Sequence, residues 1–386
     1  MPHTPTPASA TNTTAPANTG TGIAAEFAGD DTPTVRIPQT TKTNAGSPGA
    51  DTTRTGQFDG GDPVAPITAT THPDGLPGSV WATAQTSPTA QRKGRYVSDS
   101  TAHPAKMLPA VAAHAITHYT RPGDLVFDPM AGSGTTLVEA IDAGRRAVGI
   151  EYEPHWVRVA QANLELARER GHGHDGQVFT GDARHLETLL PAYYHQQVAL
   201  VVTSPPYGPS VHGQVSTAGT DSHDGKVHKF HHRYGSSLDR GNLANVGHHR
   251  LLAGFTRILT GCATVLRPGG HVVITARPWR EHSELIDLPS QIIACGHRAG
   301  LIPVERCVAL LARAADTDLV ARGSFFQREF IRKQREQGLP LHLIAHEDVI
   351  CLRKPLHPHP PHQPRHFAPP DKLPRLTHVP GRGWQA

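Results

Sequence analysis

The fold is decided by the stretch Asp124-Leu-Val-Phe-Asp-Pro-Met-Ala-Gly-Ser-Gly-Thr-Thr136. A short apolar run ends in an acid and a Gly-x-Gly turn, and the chain then continues as a helix. An α/β fold holds a nucleotide-like ligand in this way, at the carboxyl end of a parallel strand. The pattern therefore predicts ligand-binding residues along the turn, which are Asp128, Pro129, Ala131, Gly132, Ser133, Gly134 and Thr135.

Two further acids follow predicted strands. The apolar run Ala147-Val-Gly-Ile150 ends at Glu151, 17 residues after Gly134, and Tyr152 comes next. An acid at that spacing lies at the tip of the second strand, where it can accept hydrogen bonds from both ribose hydroxyls. A third strand ends just before Asp182, at the position that would bind an adenine amino group. A lone Asp there is more often a helix cap, but the series of acids favours a binding role.

A second motif interrupts another buried strand. The apolar run from Ala199 to Val202 is followed by Thr203 and then by Ser204-Pro-Pro-Tyr207. Two prolines cannot extend a central strand, because each lacks the N–H that a sheet requires. The chain must therefore leave the sheet on a stiff loop that holds Ser204, Pro205, Pro206 and Tyr207 as the second part of a site.

Together the two motifs resemble those of the amino-methyltransferases that methylate exocyclic amines of DNA bases with S-adenosylmethionine. The resemblance covers about residues 77–355 and implies a class I, Rossmann-like α/β domain. Its seven-stranded, mostly parallel sheet would carry helices on both faces. In that family the first motif binds the cofactor S-adenosylmethionine and the Ser-Pro-Pro-Tyr motif holds the target base.

A third motif, His103-Pro-Ala-Lys106, precedes the first strand. It resembles the family's motif that contacts the cofactor from the other side, which implies cofactor binding by His103 and Lys106. The alternative is a packing helix with a proline near its start, and the sequence favours neither.

Several functions remain open. A nicotinamide oxidoreductase also uses a glycine turn and a ribose-binding acid, but it would not explain Ser-Pro-Pro-Tyr. An RNA amine methyltransferase shares similar motifs. A non-enzymatic DNA-binding module lacks support, because no helix-turn-helix or zinc-finger pattern is present. Within the resembling family, serine before Pro-Pro is typical of cytosine-N4 enzymes, so cytosine N4 is preferred over adenine N6.

Composition limits the partners and the location. The net charge of +4 and the pI of about 8.9 permit binding to DNA. The four cysteines show no Cys-x-x-Cys spacing and no membrane-spanning run is present, which favours a cytoplasmic protein without a membrane or metal partner. The histidines of the loop 208–249 lack a paired spacing, so zinc is disfavoured there.

The two ends of the chain and one insertion differ from this domain in amino-acid composition. Residues 1–76, and the Pro- and His-rich residues 356–386, carry too few large apolar side chains to offset the entropy of ordering, which predicts disordered tails. The insertion 313–345 contains an amphipathic helix with five basic residues, which are Arg322, Arg328, Arg332, Lys333 and Arg335. It is predicted to contact DNA or to form a solvated lid. A kink is also expected at Pro289.

Overall fold

An eight-stranded sheet lies at the centre of the fold, in the order β1-β11-β14-β8-β5-β2-β3-β4. The computed structural model describes residues 76–171, 175–206, 214–215, 229–230, 235, 239, 241–281, 284–323 and 325–357. Its sheet strands are β1 Val80–Trp81, β2 Leu125–Asp128, β3 Arg146–Glu151, β4 Gly176–Thr180, β5 Val198–Thr203, β8 Leu266–Ala276, β11 Ile302–Leu310 and β14 His346–Arg353. Three two-stranded ribbons accompany it, formed by β6 Gln214–Val215 with β7 Lys229–Phe230, β9 Trp279–Glu281 with β10 Glu284–Ile286, and β12 Ala312–Ala315 with β13 Asp318–Ala321.

The sheet is parallel apart from one strand. β14 runs antiparallel to both of its neighbours, β8 and β11, while every other neighbouring pair is parallel. This confirms the predicted class I fold. The eighth strand, β1, is an addition at the edge, where Val80 and Trp81 pair with Val308 and Ala309. Two residues are too few to show a strand period, so the sequence did not reveal it.

Helices cover both faces of the sheet. Their bounds are α1 Pro88–Arg92, α2 Pro109–Tyr119, α3 Thr135–Asp142, α4 Pro154–Glu169, α5 Leu186–Leu189, α6 His248–Val265, α7 Leu288–Arg298 and α8 Phe325–Glu336. On β2, Val126 packs in the core that contains α2, α3 and α4, and its neighbour Phe127 packs in the core that contains α6 and α7. Strands buried on both faces read as continuous apolar runs, which explains the apolar stretches that predicted β2 and β5.

The structure corrects one local prediction and adds one element that was not predicted. Pro289 does not kink a helix: the ribbon β9–β10 ends at Ile286, and α7 begins at Leu288 with Pro289 in its first turn. Proline is favoured there because the N–H that it lacks has no helical partner in any case. In the insertion, α8 was predicted, whereas the β12–β13 hairpin was not, because its strands, Ala-Arg-Ala-Ala and Asp-Leu-Val-Ala, are too short to show a clear strand period.

The described residues belong to one of the chain's two units, residues 62–386. The predicted tails 1–76 and 356–386 lie outside the described residues except for residues 76, 356 and 357, so both remain predictions. Among the described helices, none is long and apolar enough to span a bilayer.

Candidate functional site

A cavity of about 1010 Å³ opens at the carboxyl ends of the parallel strands. The strands β2, β3 and β4 follow one another to one side of it and β5 lies on the other, so the cavity is at the point where strand order reverses. Ligands of open α/β sheets bind at such a point. The predicted site residues that line it are His103, Lys106, Asp128, Pro129, Ala131, Gly132, Ser133, Thr135, Glu151, Tyr152, Asp182, Ser204, Pro205 and Pro206. Of the remaining two, Gly134 supports the turn beneath the wall and Tyr207 lies outside the described residues.

The glycine turn has the backbone that only glycine adopts easily. Gly132 and Gly134 have φ of 54° and 83°, in the left-handed region. The N–H of Gly134 donates to the carbonyl of Ala131 at 2.8 Å. A Cβ at Gly134 would lie 3.1 Å from the Cβ of Ala160 on α4. The second glycine therefore serves both the turn and the close approach of α4.

Asp128 joins the two motifs. Its carboxylate accepts hydrogen bonds from the backbone of Met130 (3.0 Å) and from the hydroxyls of Thr136 (2.7 Å) and Thr203 (2.9 Å). Burial raises the pKa of Asp128 to about 6, although these hydrogen bonds act to lower it. One buried acid thus fixes the end of β2, the start of α3 and the last residue of β5 before Ser204.

Glu151 supports the glycine turn. Its two carboxylate oxygens accept from the N–H groups of Gly132 and Glu153, each at 2.8 Å, and only 2% of the residue is exposed. Each carboxylate oxygen has more than one lone pair. The acid can therefore hold the turn and still accept a hydrogen bond from a ligand hydroxyl in the cavity.

Asp182 is both a cap and one half of an ion pair. Its carboxylate accepts from the backbone N–H of Arg184 at 3.0 Å and from that residue's guanidinium at 2.6 Å. Burial acts to raise the pKa of Asp182, but the hydrogen bonds and charge of Arg184 outweigh it and the pKa falls below its usual value. Asp182 therefore caps the turn that follows it, as the alternative interpretation predicted, and its carboxylate also lies at the predicted binding position.

Tyr152, another residue of the cavity wall, donates a hydrogen bond from its hydroxyl to Asp239. This bond, together with some burial, raises the pKa of Tyr152 to about 12.

The motif at 103–106 closes one side of the cavity. His103 is buried, its ring lies edge-on to Trp156 with centroids 4.5 Å apart, and a Cβ at Gly132 would approach its Nε2 to 2.7 Å. Lys106 donates to the carbonyls of Thr101 (2.8 Å) and His103 (2.5 Å). Burial, with the nearby charge of Arg92, lowers the pKa of Lys106 to about 8. His103 therefore lies against the glycine turn, whereas Lys106 is held by carbonyls of its own segment, and cofactor binding by the two residues stays a prediction.

The second motif leaves the sheet where the sequence predicted. Thr203 pairs with Ile274, so Ser204 leaves the sheet beside Thr275 at the end of β8. Pro205 is buried, and Ser204 and Pro206 are partly buried on the cavity wall.

Several cavity residues were missed from the sequence. They are Asn242, Thr275, Arg277, Trp279, Phe330, Ile331 and Glu347. The end of β8 offered a signal for three of them, since neighbouring parallel strands end at one edge of a sheet. The others come from the loop before α6, from the insertion and from the antiparallel strand, where no local pattern marks a site.

A cluster of three side chains that could hold a metal ion lies outside this cavity. The ligand atoms of Glu305, Cys307 and Cys351 lie within 4.8 Å of one another, and the Tyr119 hydroxyl is within hydrogen-bonding distance of Glu305 Oε2 (2.9 Å) and Cys351 Sγ (3.1 Å). The expectation of a metal-free protein stays a prediction.

Comparisons with known proteins bear on this geometry. Residues 36–162 match the family described as DNA methylase. The chain is 33% identical over 93 residues to the DNA adenine methyltransferase YhdJ of Escherichia coli, covering 24% of this chain and 29% of that protein. It is 37% identical over 67 residues to the Type II methyltransferase M2.DpnII of Streptococcus pneumoniae, covering 17% and 25%. Among solved structures, TrmN of Thermus thermophilus aligns over 68% of this chain and 53% of its own, with 18% identity and a TM-score of 0.38.

These matches confirm the resemblance predicted from the motifs: the chain is similar to amino-methyltransferases of the N4/N6 family. The chain spans less than a third of the length of either curated relative. This similarity implies S-adenosylmethionine as the cofactor. The residues present fit such a group, because the glycine turn at Gly132 and the buried carboxylate of Glu151 line the same cavity.

Proposed function

We propose that this protein transfers a methyl group from S-adenosylmethionine to an exocyclic amine of a DNA base, with cytosine N4 as the preferred target. The carrying observation is that the glycine turn and the Ser204-Pro-Pro loop line one cavity and are joined through the hydrogen bond from Thr203 to Asp128. A cofactor site alone would suit many reactions. Here the cofactor site lies beside the stiff Ser204-Pro-Pro loop at the end of the neighbouring strand, and this combination supports transfer to an amine.

The methyl donor would lie on the β2–β4 side of the cavity. When bound, the cofactor supplies an electrophilic methyl group on a positively charged sulfur. Glu151 would accept hydrogen bonds from the ribose hydroxyls, the backbone at Gly132 would contact the ligand, and Asp182 would bind the adenine amine beside Arg184. His103 and Lys106 would enclose the cofactor from the opposite wall, with Pro129, Ala131, Ser133, Thr135 and Tyr152 as the remaining contacts.

The acceptor amine would bind at the Ser204 loop. An exocyclic amine is a poor nucleophile because its lone pair is delocalised into the ring. The Ser204 hydroxyl and the Pro205 carbonyl would accept the two N–H bonds, so that the nitrogen pyramidalises and its lone pair points toward the methyl group. The residues then act by positioning rather than by strong acid or base chemistry.

The base must leave the duplex to reach this loop. Enzymes that modify a base turn it out of the stack and hold it in a pocket. Pro206 and Tyr207 would flank the flipped base, with the tyrosine ring as its stacking surface. The domain that carries these steps is proposed to span residues 77–355.

Adenine N6 is the second candidate target. The serine before Pro-Pro favours cytosine, whereas one relative of this chain is named as an adenine methyltransferase. Both bases present an amine beside a ring nitrogen, so one serine cannot enforce the choice.

The test is to express the protein in a host that lacks DNA methylation and to digest the DNA to nucleosides. We expect N4-methylcytosine by mass spectrometry, and much less of it with the Ser204→Ala variant. Only N6-methyladenine would overturn the base assignment and keep the reaction class. Methyl groups found on RNA alone would overturn the substrate, and no methylation at all would overturn the activity. Single-molecule sequencing of the same DNA would give the sequence context of the modified base.

A further inference from the structure

Three polar residues converge on the cavity wall beyond the Ser204 loop. Asp348 of β14 pairs with Ala276, the last residue of β8, so Glu347 and Arg277 each stand one residue farther toward this edge of the sheet. Residues that face each other across antiparallel strands, and alternate residues along one strand, share a face of the sheet. Thr275 pairs with Val349 and therefore shares a face with Glu347, Arg277 follows the end of β8, and all three residues line the cavity.

Their position along the sheet edge is defined by the strand order. β5 lies next to β8, and β8 lies next to β14, on the side away from β2, β3 and β4. Ser204 leaves the sheet beside Thr275, so Arg277 and Glu347 begin about one and two strand spacings, ~4.8 Å each, farther along the edge. A base whose amine is held at Ser204 would extend its ring over these residues.

Arg277 and Glu347 place opposite charges on this cavity wall. Burial raises the pKa of Glu347, while the positive charge of Arg277, the side chain of Thr275 and the charge of His346 act to lower it. The Glu347 carboxylate is thus within electrostatic reach of the Arg277 side chain. A guanidinium on a cavity wall offers a ligand a planar set of N–H donors.

We infer that Arg277, positioned by Glu347, reads the ring edge of the target base and selects cytosine. This inference rests on the proposed function. Next to its amine, cytosine presents two acceptors in a row, the ring nitrogen N3 and the carbonyl oxygen O2, which match two N–H groups of a guanidinium. Adenine presents the acceptor N1 and then a C–H. Two neighbouring N–H groups of the Arg277 guanidinium can therefore donate two hydrogen bonds to cytosine but only one to adenine.

The experiment measures binding of target duplexes in the presence of S-adenosylhomocysteine. One duplex carries cytosine at the position mapped in the host genome, and the other carries 3-deazacytosine, which keeps the amine and O2 and replaces N3 by C–H. We expect the wild-type protein to prefer cytosine by about ten-fold or more, as for one side of a bidentate contact. In Arg277→Met that preference should fall to about one. The analogue also differs from cytosine in the strength of its base pair. This difference affects the wild-type protein and the variant alike, so it cancels when their cytosine-to-analogue affinity ratios are compared.

Two further variants distinguish lost base contacts from misfolding. Arg277→Lys keeps the positive charge but lacks the paired N–H donors of the guanidinium, so it should also lose the preference for cytosine. Glu347→Gln should weaken that preference while the affinity for the cofactor stays unchanged. Arg306→Met is the matched control: Arg306 pairs with Asp348, the neighbour of Glu347, and lies outside the cavity. It should keep the wild-type preference.

The outcomes are distinct. A preference that survives in both Arg277 variants overturns the inference. Methylation of adenine alone by the wild-type protein overturns it too, and leaves the transferase activity standing. Absence of methylation on any DNA base removes the proposed function and this inference together.

Discussion

Glu151 has two tasks at the end of β3, because the same carboxylate supports the glycine turn and is proposed to bind ribose. Glu151→Ala removes the acceptor for Gly132 and for the ligand, so we expect a loss of about 2–4 kcal/mol in S-adenosylmethionine binding, with hydrogen bonds to a charged group worth ~1.5–3 kcal/mol each. Titration calorimetry measures it. Glu139→Gln is the control, since Glu139 is buried in an ion pair with Arg95 and lies off the cavity wall. Equal affinities of wild-type and Glu151→Ala would contradict the assignment.

Asp128 should make stability depend on pH in an unusual direction. Its pKa is about 6 in the folded protein against 3.8 as the ordinary value. Between these values the folded state binds more protons than the unfolded chain, so the free energy of unfolding falls as pH rises through this window. The full effect is about 3 kcal/mol, at 1.36 kcal/mol per pKa unit. Urea unfolding at pH 4.5 to 7 measures it, and Asp128→Asn should flatten the profile. An unchanged profile in that variant would show that another group carries it.

Ser204 should affect the chemical step and not cofactor binding. Ser204→Ala removes one acceptor from the reacting amine, and loss of one positioned hydrogen bond lowers rates by ~10²–10³. Single-turnover methylation measures the rate, and calorimetry measures cofactor affinity, which should stay unchanged. Ser290→Ala, at the start of α7 and away from the cavity, is a matched control. A Ser204→Ala variant with full rate would remove the loop from the mechanism.

At the scale of elements, α8 is the part of the insertion that we propose to contact DNA. Phe330 is 45% exposed and lines the cavity with Ile331, so the helix lies at the cavity mouth. Its charges are less available than the sequence implied, because Arg332 is paired with both Glu329 and Glu336. Arg328 is exposed and, within the described part of the chain, pairs with no carboxylate.

The two arginines of α8 should therefore differ in their effect on DNA binding. Arg328→Ala should reduce the slope of log affinity against log salt by about one unit, as expected for one lost phosphate contact. Arg332→Ala should change it less, since its charge is already neutralised by two glutamates. Binding titrations over a range of salt concentrations decide this. If neither variant changes the slope, α8 is a solvated lid.

At the scale of the whole molecule, the cavity is built from strand ends across the sheet, so ligand binding should stabilise the fold as a unit. A ligand at 100 times its dissociation constant raises the free energy of unfolding by about 2.7 kcal/mol. We expect that increase with S-adenosylhomocysteine in urea unfolding, and a much smaller one in Glu151→Ala at the same concentration. A nicotinamide dinucleotide should give none. If it stabilised the protein and S-adenosylhomocysteine did not, the oxidoreductase alternative would be restored.

The sequence by itself determined the fold class and one half of the site. Apolar runs that end in Asp128, Glu151 and Ser204 identify parallel strand ends, and parallel strands place their ends at one edge. Glycine at 132 and 134 and proline at 205 and 206 restrict the backbone locally. These signals are readable because each depends on a few consecutive residues.

Only the tertiary structure decided the other half. No local pattern predicts the link from Thr203 to Asp128, the edge strand β1 or the presence of Arg277 and Glu347 on one cavity wall. Glu347 reaches the cavity because β14 enters the sheet antiparallel, so its first residues lie at the edge where β8 ends. Strand pairing over long sequence separations depends on burial of the whole sheet, and a short window of sequence does not contain that information.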